Sequence, residues 1–522
     1  MHFRRIAGWL LVLFLPVFLV AQSWSASGPP NFILIFADDL GYGDIEPFYD
    51  DCPFKTPQLD RMADEGARLT NFYVPTPYCA PSRGTILTGR YPFRHTVMSN
   101  PAPDAGATNF GLPQSEITIA EALKPLGYAT AAFGKWHLGH KKQWLPRTQG
   151  FDEYFGILYS NDMFPVQLVR NETVAEYPVA QSMLTQRYTA AALRFIESNK
   201  DRPFFVYLPH AMPHKPLAAS DDFYTPETRE DLYADVIAEL DWSVGKILSK
   251  LKELDLDKRT LVIFTSDNGP WYGGSTGGLR GMKGRAWEGG LRVPLIARMP
   301  GVIPPGVVNH EPAASIDVFP TICTLAGAPI PKDRIIDGID LMPMLKDAGA
   351  SSPHEAIYGM QGNNLATIRS GKWKLHVRNP GLPRFHRLSP EEKAQYVDPR
   401  GPDGVTILAP YEQAKVYQHP GLTSGVEPSS MMLFDLEADR AEQYDVADQH
   451  PEVVERLLAA FRKTEAEVPE LPVPESGYLF REPGPGEPRA LMRLIGGELR
   501  YDRIPESQKH LIDEKAPDMD SP

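Results

Sequence analysis

Two short acidic pairs, Asp38-Asp39 and Asp267-Asn268, stand far apart in the chain, and each directly follows an apolar run. Adjacent acids ordinarily sit in solvated turns or cap helices, so neither pair means much alone. Together they offer three carboxylates and an amide oxygen, a hard donor set suited to one Ca2+ or Mg2+ ion and unsuited to zinc or a soft metal. Between them lies Cys79-Ala80-Pro81-Ser82-Arg83-Gly84, in which Pro81 and Ser82 suit the opening turn of a helix. Cys79 would then stand just ahead of a helix N-terminus, where partial positive charge favours an anion. Its residue type leaves two readings, a buried thiol or a thiolate nucleophile. Basic residues follow other apolar runs: Lys135 and His137, then His210 and His214 on either side of Pro213. Lys283 sits in a Gly-rich loop without the Gly-Lys-Ser/Thr ending of a nucleotide-phosphate loop.

The elements that must position these residues are legible as a pattern. Phe32–Ala37, Ala129–Phe133, Phe204–Leu208 and Leu261–Thr265 read as buried strands. Helical patterns lie between them, over Pro57–Gly66, Glu116–Leu126, Leu184–Asn199 and Tyr233–Leu254. Such alternation predicts an α/β fold with a large, mainly parallel sheet sandwiched by helices. Ligands of such sheets collect beyond the carboxyl ends of the strands, so four strand ends would aim acids, bases and cations at one edge. After Pro353 shorter strand-like pieces, Ala366–Ser370, Trp373–Val377 and Met432–Leu436, predict a smaller α+β domain with an antiparallel sheet. A Pro- and Gly-rich excursion spans Asn379–Ser429, and Pro451–Glu465 reads as a closing amphipathic helix.

Cys79-x-Pro81-x-Arg83 followed by Thr88-Gly89-Arg90 resembles the signature of the type I, formylglycine-dependent sulfatases of the alkaline phosphatase superfamily. The likeness runs over roughly Asn31–Asp448. It takes in FADDLGYGD at Phe36–Asp44, GKWHLG at Gly134–Gly139, TSDNGP at Thr265–Pro270, GMKGRAWEGGLRVP at Gly281–Pro294 and SGKWKL at Ser370–Leu375. The resemblance implies that Cys79 is oxidised to formylglycine (3-oxoalanine) by a separate formylglycine-generating enzyme. Its hydrate carries two hydroxyls on one carbon: one attacks sulfur and expels the alcohol, and the other collapses to the aldehyde and frees sulfate. A plain Ser or Cys adduct lacks that exit. The metal, Ca2+ or Mg2+, would rest on Asp38, Asp39, Asp267, Asn268 and the modified Cys79. By the same likeness Arg83 would hold the hydrate, Lys135 and Lys283 would clamp sulfate oxygens, and His137 would take the second hydroxyl's proton. Ser160, in Tyr159-Ser160-Asn161-Asp162, would contact the substrate. Counted from Phe204-Phe205, the leaving-group acid falls on His214, with His210 in reserve.

Bulk properties bound the alternatives. A net charge of −13 over 522 residues argues against nucleic-acid binding, which feeds on Lys and Arg. Three cysteines are too few for a disulfide framework. Arg4 and Arg5, the apolar run Ile6–Val20 and the small residues of Ala21–Ser27 predict a cleaved signal over 1–27. That run is shorter than the roughly 20 residues of a membrane span, so export without a membrane anchor is expected, to a periplasmic, extracellular or lysosomal space. The expected organisation is a catalytic domain over 28–352, a smaller domain over 353–468 and a tail over 469–522, wrapped or partly disordered. Two rivals stand beside a sulfate-ester hydrolase: a phosphodiesterase or phosphonate hydrolase of the same superfamily, and a non-catalytic binder of sulfated glycan.

Overall fold

Asn31–Ala37 (β1) is buried at all seven of its positions. A strand that hides both faces needs cover on both, which a parallel sheet between helix layers supplies. The computed structural model describes residues 28–101, 111–163, 166–177, 179–224, 231–383, 389, 391, 421–469, 490–495 and 498–503. The other strands of the main sheet are β2 (Ala67–Tyr73), β3 (Ala129–Phe133), β4 (Glu153–Ile157), β5 (Leu168–Arg170), β6 (Thr173–Glu176), β7 (Phe204–Pro209), β8 (Thr260–Ser266), β9 (Arg292–Arg298), β10 (Val307–Asn309) and β11 (Ala313–Ala314). They form one eleven-stranded sheet in the order β10-β2-β9-β8-β1-β7-β3-β4-β5-β6, with β11 on β2. The central run β8-β1-β7-β3-β4 is wholly parallel. Antiparallel strands flank it on both sides.

The two faces of β1 enter different cores. Phe32, Leu34 and Phe36 pack with Ile86 and Leu87 of the helix Cys79–Thr88 and with Ile322 of the helix Val318–Ala326. Ile33, Ile35 and Ala37 pack with Tyr188 and Phe195 of the helix Leu184–Ser198 and with Val244 and Leu248 of the helix Leu232–Glu253. The predicted layering is therefore the observed one. One helix starts later than its pattern: Ile119–Leu123, continued by a short 3-10 turn to Leu126, begins three residues after Glu116. Thr118 and Glu121 form a capping box there, each side chain taking the other's backbone N–H. Glu116 turns instead to Arg90, 2.8 Å away.

A smaller antiparallel sheet follows, β12 (Ile357–Gln361), β13 (Asn364–Ser370), β14 (Trp373–His376) and β15 (Met432–Asp435), paired in that order. The helix Pro451–Glu465 buries Leu457 and Phe461 in the core that this sheet shares with Tyr73 and Phe93. Most of the Asn379–Ser429 excursion, the 1–27 segment and most of the tail lie outside the described residues. Within the tail, Ala490–Ile495 pairs antiparallel with Glu498–Arg503, an element that the Pro, Gly and charge content of this region did not predict. Gly496-Gly497 between the two strands was the available hairpin signal. No described helix is long and apolar enough to cross a membrane.

The two sheets are joined by buried charges. Lys374 Nζ lies 2.9 Å from Glu288 Oε1 and 3.0 Å from Glu442 Oε1. His376 Nε2 stands 2.6 Å from the same Glu442 oxygen, and the Tyr73 hydroxyl donates to Glu288 over 2.6 Å. Burial would raise the Glu442 carboxyl, but Lys374 and His376 hold it down at about 2. Breaking such a pair from one side strands the other charge, at a cost of about 3–5 kcal/mol. Lys374→Met should accordingly lower the unfolding free energy read from urea titration by about 3–5 kcal/mol and move the midpoint down relative to the parent protein. A midpoint unchanged within error would show that the cluster does not hold the sheets together.

Candidate active site

β8, β1, β7 and β3 are neighbours that run the same way, so the segments that follow them open at one edge of the sheet. Asp267-Asn268, Asp38-Asp39, His210 to His214, and Lys135 to His137 occupy those four segments. Backbone ties fix them. Lys135 N–H donates to the Pro209 carbonyl at 2.7 Å, and His137 N–H to that of Leu158 at 3.1 Å. Gly134 is required where β3 ends, because φ is +139° and a Cβ would meet the Pro209 oxygen at 1.8 Å. Asp39 and His137 both take left-handed backbone angles, at φ +64° and +58°. Such angles cost of order 1–3 kcal/mol each in a non-glycine residue and persist only where the surroundings impose them. At Asp39 the imposing contact is its N–H, donated to Asp267 Oδ1 over 3.0 Å.

The helix Cys79–Thr88 begins at Cys79 itself, with Tyr78 as its cap, and not just after it. The Tyr78 carbonyl accepts the Ser82 N–H, and Pro81, lacking an N–H, loses nothing in a first turn. Asn100 Oδ1 takes the Ala80 N–H at 2.9 Å, a contact no sequence signal announced. From this helix Arg83 reaches Asp267 at 2.8 Å and Asp38 at 3.6 Å, and donates to the Lys135 carbonyl at 2.8 Å. Lys135 Nζ contacts Asp38 and, at 3.1 Å, Ser160 Oγ. Lys283 Nζ lies 2.7 Å from the Asp39 carboxylate and 3.5 Å from Cys79 Sγ, which is 3.9 Å from Asp39 Oδ1. Lys283 is carried there by its N–H on the Pro270 carbonyl and by Gly284 N–H on that of Pro77.

The three histidines part company. His214 Nε2 is 3.6 Å from Asp39 Oδ2, inside the site. His137 Nε2 lies 3.2 Å from the Pro101 carbonyl, so that nitrogen carries the proton and Nδ1 keeps a lone pair. Burial first, then Lys135, Arg83 and Lys283, hold His137 far below its usual range, so the ring is neutral. His210 packs on Tyr188 and meets Ser243 Oγ at 3.2 Å, and burial pushes it down to about 3. It is a core residue.

Residues 30–328 match the family profile described as Sulfatase. The chain belongs to the sulfatase family. It is 36% identical to Arylsulfatase A of Bos taurus over 493 residues, covering 88% of this chain and 90% of the relative. It is 40% identical to N-acetylgalactosamine-6-sulfatase of Mus musculus over 386 residues, covering 67% and 72%. Among solved structures, a sulfatase from Pseudoalteromonas sp. superposes with a TM-score of 0.69 at 25% identity, covering 85% of this chain and 92% of that one. The sulfatase is thus a sulfuric ester hydrolase with an alkaline-phosphatase-like main sheet.

Its site gathers groups able to hold a cation, and the carboxylate and amide oxygens among them are the hard donors. Asp38, Asp39, Cys79 and His214 each offer a ligand atom, all within 4.8 Å of one another. Asp38 Oδ1 and Asn268 Oδ1 are buried without a hydrogen-bond partner among the described residues, although buried polar atoms are normally satisfied. Asp267 is not in that close group; Arg83 and the Asp39 N–H engage its two oxygens. Burial and the nearby charge of Asp38 push Asp267 up to about 7, against the pull of Arg83. Three buried carboxylates face three cations, Arg83, Lys135 and Lys283, so one added divalent ion would leave the sulfatase site positive and ready for an anion. The unmodified Cys79 thiol suits no nucleophile: burial pushes it well above its ordinary range, and Lys135 and Lys283 offset only part of that.

Proposed function

We propose that this sulfatase cleaves sulfate esters with formylglycine made from Cys79 and one Ca2+ or Mg2+ ion held by Asp38, Asp39, Asn268 and Asp267. The observation that carries the reading is the placement of Cys79, wholly buried at the first turn of its helix between Lys283 and Asp39. When bound, the cation supplies charge that acidifies an attacking hydroxyl and draws on a sulfate oxygen. Formylglycine supplies the paired hydroxyls that allow sulfate to leave again. Lys135 and Lys283, now resting on Asp38 and Asp39, are the groups that would clamp sulfate oxygens, with Ser160 beside Lys135. Arg83 fixes the carboxylates, and its buried Nε, without a partner among the described residues, is the donor left for the hydrate.

His137, neutral and with its Nδ1 lone pair unpartnered among the described residues, would accept the second hydroxyl's proton. An imidazole is a poor ligand for a hard cation, which leaves His214 to protonate the departing alcohol. Because Cys79 is shut inside the fold, the separate formylglycine-generating enzyme would have to act before folding closes the site. The predicted export signal agrees with that order, placing maturation ahead of release to a periplasmic, extracellular or lysosomal space.

Three free cysteines are present, Cys52, Cys79 and Cys323. Denatured active enzyme should therefore titrate as two thiols, and the Cys79 peptide should show an aldehyde mass. Three thiols at full activity would overturn the mechanism. Asp39→Ala removes the carboxylate that meets Lys283, Asn268 and His214, so metal content by elemental analysis and turnover should fall together. Normal metal content in that variant rules the ligand set out. For the acid, His214→Ala should slow a sugar sulfate more than nitrophenyl sulfate, by about 10²–10⁴, since nitrophenolate leaves unaided. His210→Ala should slow both alike.

A further inference from the structure

Asn161 lies next to Ser160 and does not reach a strand end of its own, yet its side chain is spent on the His214 turn. Its Nδ2 stands 3.2 Å from the His214 carbonyl, 3.1 Å from the Pro216 carbonyl and 3.3 Å from Gln181 Oε1. Gln181 Nε2 donates back to the Asn161 carbonyl at 2.8 Å. Two of those acceptors are backbone carbonyls and can only accept, so the amide has one orientation. Turned over, it would set an oxygen against two oxygens. The amide oxygen therefore faces His214 Nδ1, at 3.0 Å. The Lys215 carbonyl, another obligate acceptor, stands 2.6 Å from the same nitrogen, and Ser160 Oγ is 3.4 Å away.

We infer that Asn161 is a positioning residue that fixes the His214 ring with a proton on Nδ1 and presents Nε2 to the reacting centre. The inference rests on His214 as the leaving-group acid and adds how that acid is aimed. Nε2 is the nitrogen 3.6 Å from Asp39 Oδ2, on the side of Cys79. In the proton transfer the Nε2–H bond breaks and an O–H bond forms on the departing alcohol. The ring is left neutral with Nδ1–H unchanged, so no tautomer exchange is needed between turnovers. His137 is aimed the opposite way by the opposite device: the Pro101 carbonyl holds its Nε2 and leaves Nδ1 as the working atom.

The test uses the mature, metal-loaded enzyme and two readouts. Nitrogen NMR of histidine-labelled protein, with His214 assigned by the His214→Ala variant, should show the neutral ring protonated at Nδ1. A ring protonated at Nε2 overturns the assignment. In turnover, Asn161→Leu should lose about tenfold or more on a sugar sulfate while nitrophenyl sulfate changes by no more than a few-fold, and His214→Ala combined with Asn161→Leu should add no further selectivity. If His214→Ala discriminates between the substrates but Asn161→Leu slows both equally, Asn161 merely supports the turn and the inference fails. If His214→Ala itself does not discriminate, the acid reading is what fails, and the NMR tautomer alone then decides what Asn161 does to the ring.

Discussion

Three buried carboxylates, Asp38, Asp39 and Asp267, bridged by Arg83 and by the Asp39 N–H, are the constraint on which this molecule is built. Unit charges about 4 Å apart interact by roughly 4 kcal/mol even at an effective dielectric of 20, so Asp38, Asp39 and Asp267 cannot be gathered without counter-charge. The fold supplies it from three directions: Arg83 from a helix, Lys135 from the end of β3, and Lys283 from the Gly-rich loop before β9. None of these cations is near the acids in sequence. The parallel run β8-β1-β7-β3 is what makes their meeting possible, since only parallel neighbours deliver their carboxyl ends to one edge.

The same crowding sorts the histidines. His137 sits among cations and is kept neutral, whereas His214 Nε2 sits 3.6 Å from the Asp39 carboxylate. The identity of each working nitrogen is set by which carbonyl occupies the other one. In the proposed mechanism it is hydrogen-bond partners, and not the imidazole itself, that would divide base from acid within one site. His210, in the same segment as His214, meets only core groups among its described contacts and drops out.

A second buried charge cluster, Glu288, Lys374, Glu442 and His376, ties the smaller sheet to the segment just after Lys283. Two motifs distant in sequence, Gly281–Pro294 and Ser370–Leu375, meet in it. The smaller sheet is therefore part of what holds the Lys283 loop against the main sheet.

Local pattern by itself marked the four central strands β1, β3, β7 and β8 and the helices between them, since apolar runs of strand length are written in contiguous residues; it did not mark β2, β4 to β6 or β9 to β11. It also determined that acids and bases follow β1, β3, β7 and β8, hence the edge where chemistry would sit. The five-residue motif around Cys79 pointed to the family, because all of it is written in contiguous residues. Tertiary structure alone decided which side chains are partnered. That Asp267 is spoken for by Arg83, that Asn161 grips the His214 turn and that Asn100 caps the Cys79 helix depend on contacts between segments distant in sequence, which no local spacing encodes. Spacing from Phe204-Phe205 already favoured His214 over His210, and tertiary structure added where each ring goes: His210 meets Ser243 and Tyr188, whereas His214 Nε2 lies toward Asp39.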